Sequence, residues 1–552
     1  MVDAAANLFY PNAFVRPVWR TVLYGSLLYD IWLRSYQPVR LRRSAPDSLP
    51  GDAGNGKRLL VGRIRFGAET KDANLTPDLF DDMEATSTWR VALHSFGWVR
   101  DLHATGDDRA RRVAQDMLRA WLRRFDRWDS LAWRADVIGR RLMMWLMHTD
   151  FLLEGTDLAL RRRFAAHMGR QVRHLVSEAA LLLQSPARVW SYAGLLAAAL
   201  VCGNGQMYRA RAERGLLRTI ERQILPDGCH ISRRPDAILD CLTALVLVRA
   251  IYVDVEEPFP DKLLVAIERM APMIRFFQTG DKALVPFHGG GIETSQRVSQ
   301  ILKLAKANGK PPSMAPYGGY YRLFAGNVTV LMDVHAPPEI GSGATPHAAI
   351  GALHVCVGKH RLISSCGMAP ASDRTLDQVL RSSAAHSVFE LLGHDMAAFD
   401  HEGGAATDAK VTEQNFTLRD GHSLAVVAHN GYAAQGYKVR RSVYLDPDGM
   451  TIKGEETIVG ALDVIAQDFA IRFHLHPSVK VLLVESGRAA ILRVGSSLGW
   501  RLRIANGVLH LEDSLHVAAD GIRRRSQQLI IKGRVGAMTL VVKWALQAFN
   551  GK

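Results

Sequence analysis

The sequence predicts a multidomain α + β protein, with a helical N-terminal half followed by an antiparallel β half. Three observations predict it. The 552 residues exceed what one core usually supports. Apolar residues recur at helical spacing through residues 75–305. From "KANGKPPSMAPYGGYYRL" onward the pattern changes to short, β-branched and often alternating runs punctuated by Gly, Asn and Asp.

In the helical half, "TSTWRVALHSFGWVRDLHATGD" places Trp89, Leu93, Phe96, Trp98 and Leu102 near helical spacing. Gly106 reads as its C-cap, and Asp107 and Asp108 open the next helix. "DDRARRVAQDMLRAWLRRF", "ADVIGRRLMMWLMHTDFLL", "TDLALRRRFAAHMGRQVRHLVSEA", "SYAGLLAAALVCG", "MYRARAERGLLRTIERQIL", "PDAILDCLTALVLVRAIYV" and "FPDKLLVAIERMAPMIRFFQTGD" continue the theme. Consecutive amphipathic helices bury their stripes by pairing, as a solenoid or closed into a ring. No fixed-period repeat is visible, which argues against a regular repeat array. In the β half, thirteen runs from "NVTVLMDV" to "AMTLVVKWAL" read as strands, and "DPDG" (446–449) as a turn between two of them. That many short strands imply an antiparallel sandwich or stacked sheets. The expected boundaries are 1–60 for a basic, aromatic helical extension, 61–312 for the helical domain and 313–552 for the β domain.

The net charge of +15 calls for an anionic partner: nucleic acid, an acidic polysaccharide or a membrane surface. Nucleic acid is not expected, because the basic residues are dispersed and form no recognised motif. Five cysteines without a CxxC give no disulfide framework and fit a reducing compartment. The N-terminus lacks the layout of a secretory signal, and its apolar stretch from Val22 to Leu33, interrupted by Asp30, is too short to span a bilayer. Residues 13–42 either pack on the body or lie on a membrane surface. The expected location is cytoplasmic or peripheral to the inner membrane rather than periplasmic. The oligomeric state is left open.

Certain stretches carry a family resemblance. "LHSFGWVRDL" (93–102), "WRADVIGRRLMMW" (133–145), "QILPDGCHISRRP" (223–235), "YYRLFAGNVTVLMDVHAPP" (320–338), "PHAAIGALHV" (346–355), "ISSCG" (363–367), "LRSSAAHSVFEL" (380–391), "GMTIKGEETI" and "RFHLHP" (472–477) occur in an order that resembles the heparinase II/III-like polysaccharide lyases. The resemblance covers nearly everything after residue 60. It implies an incomplete (α/α) toroid, a multi-sheet β-sandwich, and an anionic polysaccharide or oligosaccharide as partner. The implied reaction is β-elimination from a uronate-containing chain. There, neutralising the carboxylate makes the neighbouring proton removable, a base takes it, and an acid protonates the leaving oxygen.

The family's toroid Asn/His and Tyr have no direct counterparts. "SPARVWSYAGLL" (185–196) offers Arg188 and Tyr192 instead, and "DGCHISRRPDAILD" has Ala237 near the Tyr position but keeps His230 and Arg233. The expected catalytic set is His347, His230 and Tyr192, with Tyr320, Tyr321 and Tyr432 as other stand-ins for the Tyr. The expected glycan-binding residues are Arg188, Arg233, Arg381 and Arg440, with Arg441 and His394 as further groove candidates, because a guanidinium grips carboxylate or sulfate bidentately. His347, Cys366 and His386 match positions that bind zinc in some relatives, and imidazole with thiolate makes a good zinc set. His354 and Cys356 share one strand face and read as packing; in "RFHLHP", Phe473 and Leu475 share one face and His474 and His476 the other. Two alternatives accompany the lyase: a non-catalytic or regulatory glycan-binding relative, and a glycoside hydrolase drawing two carboxylates from Asp136, Asp227, Asp236 and Glu293.

Overall fold

The computed structural model describes residues 21–550 apart from 36–38, 42, 68, 292–294, 307–308, 340–344, 370–372, 400–408, 496–497 and 519–520. It divides into two compact units. The first takes Met1–Leu182, Pro186–Thr219 and Ala244–Pro260, and the second Leu183–Ser185, Ile220–Thr243 and Asp261–Lys552.

Among the described residues the first unit is helical apart from one small hairpin, β1 (Arg63–Phe66) and β2 (Glu69–Asp72). Its longer helices are Asp108–Arg124, Ala135–Met147, Leu158–Glu178 and Pro186–Val201. Two stretches read as continuous helix are broken. Phe96 takes φ 60 between Ser87–His94 and Trp98–His103, and His148 separates Ala135–Met147 from Thr149–Leu153. Gly106 turns at φ 65 and Asp107 caps the next helix by accepting from Arg109 N, as the sequence predicts. Helices Ala135–Met147 and Pro186–Val201 touch backbone to backbone. A Cβ on Gly139 would lie 2.3 Å from Trp190 O, and one on Gly194 2.2 Å from Gly139 O.

The core of this unit encloses a charge. Arg141 is 0% exposed, donates to Gln171 Oε1, His94 O and Ala132 O, and stacks 4.1 Å from the Trp121 ring centre. Three carbonyl-type acceptors and a π face satisfy the guanidinium where no water reaches it.

The helix Leu27–Arg34 settles which face of the N-terminal segment packs. Tyr24 bonds Glu178, Tyr29 Oη pairs with His174 Nδ1 at 2.6 Å, and Leu33 is buried. The opposite face leaves Leu27 64%, Leu28 79% and Ile31 54% exposed. No helix among the described residues is long and apolar enough to cross a membrane. Residues 13–20, 36–38 and 42 of the expected membrane-contact segment lie outside the described residues.

The second unit holds two large sheets. Its strands are β3 (Met314–Ala315), β4 (Tyr320–Ala325), β5 (Val328–Asp333), β6 (Leu353–Val357), β7 (His360–Ser364), β8 (Phe389–Leu391), β9 (Val411–Arg419), β10 (His422–His429), β11 (Tyr437–Leu445), β12 (Thr451–Gly460), β13 (Gln467–Leu475), β14 (Lys480–Val484), β15 (Ala489–Val494), β16 (Leu498–Ile504), β17 (Leu509–Val517), β18 (Arg523–Val535) and β19 (Leu540–Asn550). One sheet runs β14-β15-β16-β19-β12-β11-β10-β9, and the other β17-β18-β13-β7-β6-β5-β4-β3 with β8 on β13. The pairings within them are antiparallel. Alternation sends Val443, Leu445, Ile452 and Leu502 of the first sheet and Val330, Val355, Phe473 and Leu475 of the second into one shared core. "DPDG" makes the expected turn: Gly449 N donates to Asp446 O, and Asp446 N to Thr451 O.

A buried ion pair joins the strand core to its neighbours. Arg441 Nε donates to Glu456 at 2.6 Å, and its Nη1 to Gly351 O and Ser387 O at 2.7 Å each. Arg441, read above as a groove candidate, is 3% exposed and holds backbone together instead.

Candidate functional site

The site lies within the second unit and starts at the turn after helix Gln206–Gln223. Gly228 turns at φ +90 where a Cβ would meet Arg269 O at 2.0 Å, so only glycine fits. Asp227 accepts from Cys229 N, Tyr317 N and Gly318 N. His230 follows, 0% exposed, with Nδ1 on Ser232 Oγ at 2.7 Å and Nε2 on Gln223 Oε1 at 3.0 Å. Both ring nitrogens are committed, and burial pushes its pKa down to about 3. His230 therefore pins the turn; the expected catalytic role is corrected to a structural one.

Arg233 is also redirected. It takes a left-handed backbone (φ 57) and donates to Gly318 O, Gly319 O, Ala336 O and Asp333 Oδ1. Tyr320 Oη donates back to Arg233 O at 2.6 Å. All of its donors are spent on the protein, so it is a clamp and not a glycan ligand. Asp333, 0% exposed, accepts His288 Nε2–H at 2.9 Å on its other oxygen. Burial alone would raise the Asp333 carboxyl, but Arg233 and then His288 hold it below the usual carboxylate range.

From His288 the network reaches the β-domain histidines. His288 Nδ1 accepts from His347 N at 3.3 Å. His347 Nδ1 faces His386 Nε2 at 3.1 Å, and His386 Nδ1 pairs with Ser365 Oγ at 2.9 Å. His347 Nε2 is buried and has no hydrogen-bond partner. An unpaired buried N–H costs more than an unpaired lone pair, so the proton belongs on Nδ1, donated to His386. The lone pair is then on His347 Nε2, beside Gly289. Burial first, then His386, His288, Arg381 and Arg234, keeps His347 neutral well below the usual imidazole range; burial pushes His386 down to about 3.

Two arginines frame this pair. Arg381 donates Nε to Pro346 O at 3.0 Å and lies over Phe399. Arg234 makes a two-point ion pair with Asp236.

Cys366 does not complete a ligand set with His347 and His386. Its sulfur turns to His474 Nδ1 at 3.4 Å and Ser514 Oγ at 3.8 Å, and burial pushes the thiol up to about 11. Among the described residues no three His, Cys, Asp or Glu side chains are grouped to hold a metal ion. As placed, these residues do not fit a zinc ion, and no chemical step is drawn through one.

The other expected residues are scattered. Arg440 sits on the solvent face of β11, paired with Glu413 at 2.9 Å. His394 Nδ1 pairs with Gln435 Nε2. Tyr320, Tyr321 and Tyr432 are 0%, 6% and 0% exposed and belong to the packing, as do His354, against Phe287 at 4.8 Å, and Cys356. In the first unit, Tyr192 is 7% exposed with its ring against Gly215, and Arg188 donates to Leu182 O. Of the hydrolase carboxylates, Asp136 pairs with Arg134, Asp236 with Arg234, and Asp227 caps backbone; Glu293 lies outside the described residues. His288 and Asp333 were missed. "PFHGGG" and "LMDVH" carried a signal only in hindsight: a histidine at a glycine turn and an acid ending an apolar strand.

The described residues form a helical unit and an antiparallel two-sheet unit, and the buried histidine pair lies in the second, just before β6 and β8. Residues 307–545 match the family described as heparinase II/III-like, C-terminal, so the β half of the chain is similar to that domain. The crystal structure of a heparinase III is similar at TM-score 0.73 and 13% identity, covering 99% of this chain and 93% of that one. The heparan sulfate lyase HepC from Pedobacter heparinus is similar at TM-score 0.61 and 15% identity, covering 94% and 85%. These likenesses show the fold: an incomplete (α/α) toroid followed by an antiparallel β-sandwich. FtsZ-localized protein C from Caulobacter vibrioides is 27% identical over 96% of this chain and 94% of its own.

Proposed function

We propose that this chain is a glycan-binding relative of the polysaccharide lyases, engaging an acidic, uronate-containing polysaccharide or oligosaccharide without efficient turnover. One observation supports this most: the expected acid–base groups His347, His230 and Tyr192 are 2%, 0% and 7% exposed. Elimination needs a base and an acid in reach of the sugar. His230 is tied at both nitrogens, and the family's Tyr and Asn/His are replaced. The net charge of +15 supports an anionic ligand.

A second reading keeps catalysis, with the lone pair of His347 Nε2 as base. The unpartnered nitrogen favours it. Purified protein incubated with uronate-containing polysaccharides separates the two. Retention on the glycan without ultraviolet absorbance from unsaturated ends supports binding alone; absorbance that His347→Ala removes supports elimination.

The exposed face of helix Leu27–Arg34 favours a location against a membrane. The Caulobacter relative is named for localising with FtsZ, and a like localisation belongs to this proposal. The full chain is expected to float with vesicles containing anionic lipid, and Leu28→Glu with Ile31→Glu to lower the floated fraction at least fivefold, since a charge opposes burial in the interface. Equal flotation of the double variant would remove the membrane from the account.

A further inference from the structure

The solvent face of the eight-stranded sheet is not used by anything above. Register aligns Arg503 (β16), Ala545 (β19), Lys453 (β12) and Tyr444 (β11) in one row across the sheet. Neighbouring strands lie about 4.8 Å apart, so the bases of the two cations stand roughly 10 Å from each other with only the Ala545 methyl between them. The hollow over that methyl is a pocket of about 460 Å³, which Ser442 and Ala505 also line. Its size is that of a small-ligand site.

On the opposite, core side of the sheet Gly454 leaves room for the Trp544 ring, which a Cβ would meet at 2.0 Å, so the indole backs the β12 backbone behind the hollow. The walls are cationic. Lys453 stands 5.4 Å from the centre of the Tyr444 ring. Arg503 reaches Glu485 at 3.0 Å, but 48% of its side chain stays open to solvent. Lys543 at the rim is 64% open and pairs with Glu455 at 3.2 Å. Three cations therefore face one carboxylate of the pocket wall and one beside it. Such exposed ion pairs are weakly held and exchange readily for a ligand anion.

We infer that this hollow is a subsite for one anionic residue of a glycan, its carboxylate or sulfate held between Lys453 and Arg503 and its ring over the Ala545 methyl. The inference rests on the acidic-glycan reading above and extends it to a surface remote in sequence and chemistry from the histidine pair. Arg503 supplies the planar two-point grip and Lys453 the point charge. Tyr444 closes one side of the hollow, its ring stacked on His422 and flanked by Lys453.

Calorimetric titration of the full chain at low salt tests it. The probes are an unsulfated oligogalacturonate and a heparin-derived hexasaccharide. The comparison protein is Lys453→Ser with Arg503→Ser, two solvent-facing strand positions whose replacement should leave the melting temperature in place. Losing two charge-assisted contacts is expected to weaken binding about tenfold or more and to flatten its salt dependence. Loss for one probe alone supports the subsite and identifies its anion. Undiminished binding by the double variant overturns the subsite while leaving the acidic-glycan reading intact. If the parent chain binds neither probe, that reading falls and takes the subsite with it.

Discussion

Acidification from pH 7.5 to pH 5 is expected to lower the melting temperature of this protein more than any single surface change. The cause is the number of imidazoles buried neutral. His230, His288, His347 and His386 are 0–4% exposed, and burial lowers the pKa of each, to about 3 for His230 and His386. In the unfolded chain they titrate near 6.5. Below that value the unfolded state binds protons that the folded state refuses, so stability is full above about pH 6.5 and falls as pH drops. For His230 and His386, held near 3, the loss at pH 5 is about 2 kcal/mol each, a large part of the ~5–15 kcal/mol total of an ordinary domain, and His288 and His347 add to it in the same direction. Asp333 adds a second loss at lower pH. Its carboxyl is held low by Arg233 and His288, so its contribution is present above the ordinary carboxylate pKa and is lost as pH falls from there through the lowered folded value. Near-ultraviolet circular dichroism melts at half-unit steps measure this. A melting temperature unchanged between pH 7 and 5 would contradict the placement of these rings.

The second large effect is expected from Arg233→Ala. The guanidinium is 5% exposed, and it binds a carboxylate that is 0% exposed together with the carbonyls of Gly318, Gly319 and Ala336. Its removal leaves Asp333 charged, buried and supported only by His288 and the His335 N–H. Breaking one side of a buried pair costs about 3–5 kcal/mol. The loss extends beyond Asp333, because the same arginine stitches the 223–235 turn to the strands β4 and β5. Arg233→Lys keeps the charge but cannot reach four acceptors, and it should recover only part of the loss. Removing both partners in Arg233→Met with Asp333→Asn is expected to be milder than Arg233→Ala alone, since no bare charge remains. Chemical denaturation midpoints decide it. An Arg233→Ala protein within 1 kcal/mol of the parent would show that the clamp is not structural.

The fold was legible because it is written in periodicity. The β11 alternation of Val439, Val443 and Leu445 against Lys438, Arg440 and Tyr444 reads the same in sequence and in burial. Edge strands were harder to see. β9, "VTEQNFTLR", has no apolar face, and β17, "LHLEDSLHV", interrupts its alternation with acids, so neither stood out. The helix breaks at Phe96 and His148 were illegible because tertiary packing imposes them on good helical patterns.

The site was legible by parts. His347 and His386 were found and do meet. The backbone of Cys366 bonds Ala385, next to His386, while its sulfur turns to His474, 108 residues away. Arg233 and His230 stand out in the sequence as polar groups, and the structure shows their donors bonded within the protein. Sequence shows that a polar group is present; it does not show whether its donors are already spent. Asp333 and His288 were missed for the complementary reason: an acid in an apolar strand and a histidine before glycines gain meaning only when folding sets them 2.9 Å apart.

The measurement that bears most directly on the central claim combines binding with turnover on one sample. The full chain is titrated with an unsulfated uronate oligosaccharide by calorimetry, and the same mixture is followed for absorbance of unsaturated ends over hours. The account predicts saturable, salt-sensitive binding with no growth of absorbance. Absorbance growing in proportion to enzyme, and lost in His347→Ala, would contradict it.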